Sequence, residues 1–448
     1  MTEPSRPTMR RAWALAGPLL VAGLTQITVN IVDTVMLGHL STTALSAFAV
    51  AAPVHLVALI VVRGWATAVQ VQAARFHGAQ RPGAVGLTVR VGLAGAVGAA
   101  LVVGALLYVG AAPVLSVLGA SDALVGPGAA YLRVMAFALP FAAISFTLQG
   151  ACAGIGATRV TMYTALLVNA VNLPLGLLLI FRAELGVSGA ALASLAATAA
   201  GTCYLLLHCR NRLPAYEKDA DTAHSLAGRL WRIGWPEMGM SGIGYLNEAL
   251  LAGFAARMGT QDLAAYRIVD NLVLVVFTCL ASVSSALMIL AGQELGAGRR
   301  EHVAAWLRTG LRMLLLTLAV PAVLAIGFGR PLMALVTEDP GVTDKAWAAT
   351  LPALLSLVPF AVALGYAAVL RATGDTRSVM IASVVSDYLL LIPLGWFLGL
   401  HAGLGLPGIY LAWTAFGLLY AAMLRPRCRR YLRAPAGLAA PAAGRVDP

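Results

Sequence analysis

The 448-residue chain is 60% hydrophobic and only 11% charged, with a mean hydropathy of +0.83. Soluble domains carry roughly 25% charged residues, so this composition excludes an ordinary soluble protein and predicts a polytopic membrane protein. The formal net charge of +12 does not indicate nucleic-acid binding, because the basic residues fall in short loops and tails between apolar runs.

Apolar runs of about 20 residues are long enough to cross a bilayer, and they recur along the whole chain. They predict an all-α fold of twelve transmembrane helices. The first six lie near 13–39, 44–73, 84–111, 127–154, 160–181 and 187–209. The second six lie near 233–257, 262–292, 303–328, 347–371, 377–400 and 405–424.

The polar stretches between these runs predict the domain organisation and the orientation. Residues 1–12 form a basic leader, 13–209 an N-lobe, 210–230 a polar linker, 231–424 a C-lobe and 425–448 a basic tail that we expect to be disordered. Arginine and lysine concentrate on one side of the predicted membrane, together with both termini. The positive-inside rule therefore predicts a multi-pass protein of the inner (plasma) membrane with both termini in the cytoplasm.

The two sets of six helices resemble each other at a fixed offset of 218 or 219 residues. This shift brings Pro18 onto Pro236, the sequence FHGAQR (76–81) onto ELGAGR (294–299), and GVSGAALA (186–193) onto GLPGIYLA (405–412). Coincidences from the first helix to the last indicate an internal duplication. Because each copy has an even number of helices, the sequence predicts two lobes inserted in the same orientation, which is the plan of a two-lobed transporter.

Asp33 is the one acid in the first apolar run. A charged residue at the centre of a membrane helix costs about 2.5–3.5 kcal/mol on insertion scales, so it normally faces a protein interior or an aqueous cavity. A carboxyl group there can bind and release a proton as its access to water alternates. The alternative is an acid held permanently by polar neighbours such as Asn30.

Other polar residues within apolar runs are candidates for a second-lobe or substrate site. Glu248 and Asp387 lie deep in the seventh and eleventh predicted helices. Asp270 and Arg267 lie three residues apart on the eighth helix, beside Asn271, and could simply pair with each other. Packing within the membrane remains the alternative for each of them. Arg63 in the second helix either snorkels to the membrane surface or neutralises an acid.

Five short motifs occur in a characteristic order over residues 13–424: NIVDTVMLG (30–38), NAVN (169–172), GAALA (189–193), GWP (234–236) and GDT (374–376). Their order and spacing resemble the multidrug and toxic compound extrusion (MATE) family, and are most similar to its DinF-type branch. The resemblance implies twelve helices in two six-helix lobes. It also implies export of bulky, often cationic amphiphiles by antiport with H⁺ or Na⁺.

The same resemblance assigns roles to individual residues. Asp33, with Asn30 in the same motif, matches the first-helix acid that binds the coupling cation, and Asn172 matches the fifth-helix asparagine beside it. Four residues later the DinF-type branch usually has an aspartate, where this chain has Gly176. Glu248 lies about one helical turn from the usual position of a seventh-helix acid.

These observations predict a secondary active multidrug exporter that is not an enzyme. No nucleotide-binding GxxxxGK[ST] and no HExxH motif occurs in the sequence, so we expect an ion gradient to supply the energy. We expect no cofactor and no resident metal, with Na⁺ at Asp33 as the alternative to H⁺. The expected partners are amphiphilic or cationic drugs and the lipid bilayer, but not nucleic acid, and we expect a monomer. The alternatives are a lipid-linked oligosaccharide flippase of the same superfamily, a channel, or a membrane-embedded enzyme.

Overall fold

The computed structural model describes residues 8–210, 213, 223–334 and 337–433, except for the side chains at positions 30 and 332. These residues form twelve helices. The first six are α1 Met9–Leu40, α2 Thr42–Gly78, α3 Pro82–Val117, α4 Asp122–Gly154, α5 Thr158–Arg182 and α6 Gly186–Arg210. The second six are α7 Ala223–Met258, α8 Thr260–Gly296, α9 Arg300–Ala334, α10 Pro340–Ala372, α11 Thr376–His401 and α12 Gly405–Arg433. The predicted all-α fold is confirmed.

Most of these helices are long and apolar enough to cross a membrane. Eleven of the twelve in the described residues contain a suitable apolar window. The exception is α7, whose first fifteen residues include His224, Arg229, Arg232 and Glu237. A 37-residue helix such as α2 is about 55 Å long at 1.5 Å per residue, well beyond a hydrocarbon core of about 30 Å. The ends of the longest helices therefore extend into the interfacial and aqueous layers.

Several helices extend beyond the ends that hydropathy predicted. α4 begins at Asp122 rather than near 127, and α10 at Pro340 rather than near 347. α12 continues to Arg433, so the first nine residues of the predicted disordered tail are helical. Similarly, α1 begins within the predicted leader and α7 within the predicted linker. The rest of the leader, nearly all of 211–222 and residues 434–448 lie outside the described residues.

The duplication is visible in the positions at which the helices begin. Thr42 and Thr260, Pro82 and Arg300, Asp122 and Pro340, and Thr158 and Thr376 are each separated by 218 positions, and Gly186 and Gly405 by 219. Backbone details repeat as well. A Cβ on Gly189 would lie 2.7 Å from the Leu179 carbonyl oxygen, and one on Gly408 would lie 2.7 Å from that of Leu398. Both copies therefore need glycine at the same close approach.

The chain divides into two compact units. The N-terminal unit is Trp13–Tyr245, and the C-terminal unit is Leu246–Pro448 together with Met1–Ala12. Within the N-terminal unit α4 is central and packs against α2, α3 and α6, while in the C-terminal unit α10 packs in the same way against α8, α9 and α12. This division falls within α7. The lobe boundaries drawn from the sequence stay a prediction.

The first part of α7 packs against α2 in the N-terminal unit. The ring centroids of Trp65 and Trp231 are 6.2 Å apart, and the Arg229 guanidinium lies 5.9 Å from the centre of the Phe76 ring. A Cβ on Gly64 would lie 2.9 Å from the Gly234 carbonyl oxygen, so the two backbones almost touch. Small residues permit this close approach between membrane helices.

The buried carboxylate of Glu294 pairs with the half-exposed Arg299 at the turn between α8 and α9 in the C-terminal unit. The Glu294 carboxylate accepts a hydrogen bond from Arg299 Nε at 2.7 Å and one from Trp306 Nε1 at 3.4 Å. The matching turn in the N-terminal unit has no acid at this position, and Arg81 stacks on Phe76 instead, at 5.3 Å. The two copies thus share a backbone turn but hold it with different side chains.

Candidate functional site

Asp33 lies in the interior of the N-terminal unit, with 7% of its surface exposed. The hydroxyl of Ser194 on α6 lies beside its carboxylate, and Tyr131 on α4 is close enough to interact with it electrostatically. Asn172 on α5, which is 2% exposed, donates a hydrogen bond from Nδ2 to Ser194 Oγ at 3.0 Å. Four helices therefore contribute one polar side chain each to a cluster around Asp33.

The sequence identified two members of this cluster and missed two. Asp33 and Asn172 are brought together as predicted, although Ser194 lies between them. The only sequence feature that marks Ser194 is that it interrupts an alanine- and leucine-rich run of α6. Nothing in the sequence distinguishes Tyr131. The side chain of Asn30 lies outside the described residues, so its predicted role stays a prediction.

Asp33 has no cationic partner in the described part of the chain. Its neighbours Ser194 and Tyr131 are hydroxyl groups. An ionised acid in such a place carries uncompensated charge, because hydroxyl donors stabilise a carboxylate only in part. The cluster is therefore suited to bind a proton or a small cation.

Gly176 stands on α5 where the resemblance expects a second acid, and Met36 takes up the space beside it. A Cβ on Gly176 would lie 3.2 Å from Met36 Sδ. Met36 lies three residues beyond Asp33 on α1 and is buried. A soft thioether therefore replaces a hard carboxylate oxygen at this edge of the cluster.

A second polar cluster lies in the C-terminal unit and joins α7, α8 and α12. Glu248 Oε1 accepts a hydrogen bond from the Tyr266 hydroxyl at 3.2 Å, and Asp270 hydrogen bonds with Glu248. Tyr410 interacts electrostatically with both acids, and its own buried hydroxyl has no hydrogen-bond partner in the described residues. Two carboxyl groups and two tyrosines are thus held within one cluster.

Arg267 contributes to this cluster in a way that differs from the prediction. Its Nη1 lies 3.6 Å from Glu248 Oε1 on α7, rather than forming an ion pair with Asp270 on its own helix. The interaction of Arg267 with Asp270 is electrostatic only. The spacing of residues along α8 predicts which side chains of the same helix lie near Arg267. It does not predict which neighbouring helix Arg267 contacts. Asn271 is exposed, and no described contact of the cluster involves it.

Two further candidates have separate surroundings. Asp387 on α11 is buried, with 5% of its surface exposed, and contacts Ser383 and Asn247. The guanidinium of Arg63, whose orientation the sequence left open, lies 5.3 Å from the centre of the Phe146 ring in the N-terminal unit. Arg63 therefore stacks on an aromatic ring.

The MatE family model matches residues 18–178 and 238–397, one segment in each half of the chain. The chain belongs to the MatE family. Members of this family are membrane transporters, so the chain is a multi-pass transporter, and the prediction that it is not an enzyme is confirmed. The segments correspond to the two predicted copies of the repeat.

Relatives match over almost the whole length. The probable multidrug resistance protein NorM of Burkholderia pseudomallei is 29% identical over 438 residues, covering 93% of this chain and 92% of its own. NorM of Aromatoleum aromaticum is 30% identical and covers 77% and 76%. The multidrug resistance protein MdtK of Yersinia pestis is 25% identical and covers 95% of both chains. These names do not specify the DinF-type branch, which stays a prediction.

Solved structures of MATE transporters share the fold. A mutant of the Vibrio cholerae MATE transporter VcmN superimposes with a TM-score of 0.87 at 20% identity, covering 95% of this chain and 97% of its own. A MOP superfamily transporter from Pyrococcus furiosus, described as having a binding pocket of reverse polarity, gives a TM-score of 0.84 at 16% identity, covering 95% of this chain and 96% of its own. At these identities the likeness establishes the fold alone.

Proposed function

We propose that this MatE-family protein is a secondary active exporter of bulky cationic amphiphiles, driven by H⁺ that enters through Asp33. The names of the NorM and MdtK relatives support multidrug export. The observation that carries the proposal is the buried Asp33 carboxylate without a cationic partner in the described chain. An ionisable residue inside a membrane helix is a functional site by default.

The composition of the cluster favours H⁺ over Na⁺ at Asp33. Na⁺ requires several oxygen ligands, whereas a proton requires one base. Gly176 supplies no side-chain ligand, and Met36 Sδ occupies the space beside it. The neutral hydroxyl oxygens of Ser194 and Tyr131 remain, and they are weaker Na⁺ ligands than a carboxylate. The absent carboxylate is therefore the main argument for a proton.

The hydrogen bonds around Asp33 offer a way to couple protonation to helix movement. Asn172 donates to Ser194 Oγ, which leaves the Ser194 hydroxyl proton free to be donated to an ionised Asp33. A protonated Asp33 can donate its own proton and accepts from the Ser194 hydroxyl only through its neutral carbonyl oxygen, so the bond between them is weakened or replaced. Since Ser194 lies on α6 and Asn172 on α5, protonation changes the bonds that hold α1, α5 and α6 together.

The acidic cluster of the C-terminal unit is suited to a cationic substrate. The hydrogen bond between Glu248 and Asp270 requires one of the two acids to be protonated. When that proton leaves, their two negative charges exceed the single positive charge of Arg267. Glu248 is partly exposed, with 34% of its side chain accessible, so a ligand can reach it. Tyr266 and Tyr410, which are 1% and 3% exposed, stack on each other behind the acids, and the Tyr266 hydroxyl holds Glu248 in position. We assign substrate binding to this cluster.

Alternating access then requires that H⁺ and drug favour different conformations. A ligand shifts a conformational equilibrium only by its difference in affinity between the two states. In the proposed cycle, protonation of Asp33 from outside lowers drug affinity and releases the drug outward. The transporter then returns to the inward-facing state and releases the proton. It works as a monomer in the inner membrane with both termini in the cytoplasm.

The experiment is efflux of a fluorescent cationic dye from proteoliposomes, with a pH gradient or a Na⁺ gradient imposed separately. The proteins compared are the wild type, Asp33→Asn, and Asp122→Asn as a control that removes an exposed acid at the start of α4. We expect the pH gradient to drive efflux in the wild type and the control, and Asp33→Asn to abolish it. Efflux that survives Asp33→Asn contradicts the assignment, and a dye that moves under neither gradient favours the flippase alternative.

A further inference from the structure

Asp387 belongs to a polar group that is separate from both clusters described above. It begins a five-residue π-helical segment, Asp387–Leu391, inside α11. Ser383 Oγ, one turn earlier, donates a hydrogen bond to Asp387 Oδ2 at 3.4 Å. From α7, the amide nitrogen of Asn247 donates to the same carboxylate. All three residues belong to the C-terminal unit, and each is at least nine-tenths buried.

One atom of this group lacks a partner. Asn247 Oδ1 is fully buried, and among the described residues no donor reaches it. A buried acceptor without a donor is costly, and such an exception in a native fold calls for an explanation such as a bound ion. Asp387 also has no cationic partner in the described chain. A carboxylate without a counter-ion thus stands beside an amide oxygen without a donor.

The internal repeat argues against a simple packing role. A shift of 218 positions relates Asp387 to Asn169 on α5. Asn169 links its helix to α1 by donating from Nδ2 to the Thr25 carbonyl oxygen at 3.2 Å. The neutral amide is sufficient to join α5 to α1, so joining α11 to α7 does not require a carboxylate. A buried charge at the same place costs more, and a bound cation would offset that cost.

The acid and the amide are also exchanged between corresponding helices. In the N-terminal unit the acid Asp33 lies on α1 and the amide Asn172 on α5, whereas in the C-terminal unit the amide Asn247 lies on α7 and the acid Asp387 on α11. The repeat relates Asp33 to Leu251, so the second group is not a copy of the first. It must be explained by its own chemistry.

We propose that Asp387, Asn247 and Ser383 form a Na⁺-binding site in the C-terminal unit. The group offers carboxylate, amide and hydroxyl oxygens, the hard ligands that a cation of this kind prefers. It differs from the Asp33 cluster, whose amide and serine hydroxyl are hydrogen-bonded to each other, because its amide oxygen is buried without a donor among the described residues. Discontinuous or irregular helices supply Na⁺ sites in other transporter folds, and here the carboxylate lies at the start of a π-helical segment. The existence of this site does not depend on proton coupling at Asp33, nor on which ion drives transport.

The test is equilibrium binding of radiolabelled Na⁺ to the purified protein in nanodiscs. All variants carry Asp33→Asn, so the cluster in the N-terminal unit cannot contribute a charged ligand. To this background we add Asp387→Asn, Asn247→Leu or Ser383→Ala, with Asp122→Asn as the charge-matched control. Because binding is measured without transport, a failure of the proton-coupled export proposal leaves this result unaffected.

We expect saturable Na⁺ binding in the Asp33→Asn protein and in the control. Asp387→Asn should remove it, and Asn247→Leu and Ser383→Ala should each weaken it about tenfold or more. The proposal is overturned if the Asp33→Asn protein binds no Na⁺ saturably, or if binding survives Asp387→Asn. If Asp387→Asn does not fold, the other two variants retain the carboxylate and decide the question, since unchanged affinity in both overturns the site.

Discussion

At the scale of single residues, we propose that Gly176 sets the ion preference of the Asp33 cluster, and a mutation can test this by reversing the preference. Replacing Met36 by Ala clears the space beside Gly176, and adding Gly176→Asp then supplies a second carboxylate. We expect Met36→Ala/Gly176→Asp to acquire Na⁺-dependent stabilisation of about 2.7 kcal/mol at a concentration one hundred times the dissociation constant. Thermal unfolding in a Na⁺ series measures it.

Met36→Ala alone is the control for that double variant, because it clears the same space without adding a ligand. Since Asp387 is intact in both proteins, a stabilisation that they share belongs to the site in the C-terminal unit. The difference between them reports the N-terminal cluster. Equal Na⁺ dependence in the two proteins would contradict the role given to Gly176.

Glu248 leads to a second prediction at this scale. If this carboxylate attracts cationic substrates, Glu248→Gln should weaken binding of a monovalent cationic dye by about 1 kcal/mol, or about fivefold, and leave an uncharged analogue unaffected. Fluorescence titration of both compounds measures the effect, with Asp122→Asn as the control. An equal loss for the two compounds would mean that Glu248 shapes the cluster without supplying the charge.

The sequence predicted single residues better than their partners. Asp33, Glu248 and Asp387 stood out because an acid in an apolar run is costly wherever the chain folds. Ser194 and Tyr410 did not, since a hydroxyl in a membrane helix is common and gains meaning only from the neighbouring helix. Distances between helices depend on packing, and local sequence patterns do not encode them.

At the scale of the elements, hydropathy found every helix but shortened several of them. It measures transfer into hydrocarbon, so it stops where polar residues begin. The helical hydrogen-bond ladder continues past that point, as in α12, whose last nine residues include five arginines. The starts of α10 and α11 are instead marked by side-chain caps, in which Asp339 accepts from the Gly341 N–H at 2.8 Å and Asp375 from the Ser378 N–H at 3.2 Å.

The contact between α4 and α2 gives a prediction about helix packing. A Cβ on Gly150 would lie 2.6 Å from the Ala66 carbonyl oxygen, which is backbone and cannot rotate away. We expect Gly150→Ala to lower the free energy of unfolding by about 1–3 kcal/mol through overpacking. Gly126→Ala is the matched control on the same helix, because no atom lies within 4 Å of its added Cβ. A chemical or thermal unfolding series compares them.

The outcome of that comparison separates packing from helix propensity. Alanine favours a helix over glycine by up to about 1 kcal/mol, so Gly126→Ala should be neutral or slightly stabilising. If neither variant lowers the unfolding midpoint, α4 and α2 can move apart at this contact without cost. Equal destabilisation would instead point to a shared effect on α4 itself.

At the scale of the whole molecule, the duplication was readable from the sequence because helix starts and turns keep a constant spacing. The differences between the copies were less readable. FHGAQR and ELGAGR align without gaps, yet Phe76 is covered by arginine side chains while Glu294 accepts hydrogen bonds from Arg299 and Trp306. A common backbone thus allows each copy to change its polar groups independently. The Asp33 cluster and the Asp387 group are a second example, because their acids occupy positions that the repeat does not relate.

Orientation in the membrane is the remaining prediction at this scale. By the positive-inside rule, the excess of arginine at the C-terminal end of α12 and around the turn between α2 and α3 predicts that these segments lie in the cytoplasm. In a background with the five native cysteines replaced by alanine, we introduce Gln80→Cys or Ser121→Cys, both at exposed turn positions. A membrane-impermeant maleimide should label Ser121→Cys in intact cells and Gln80→Cys only after permeabilisation. The reverse pattern would invert the topology and require protons to reach Asp33 from the other side.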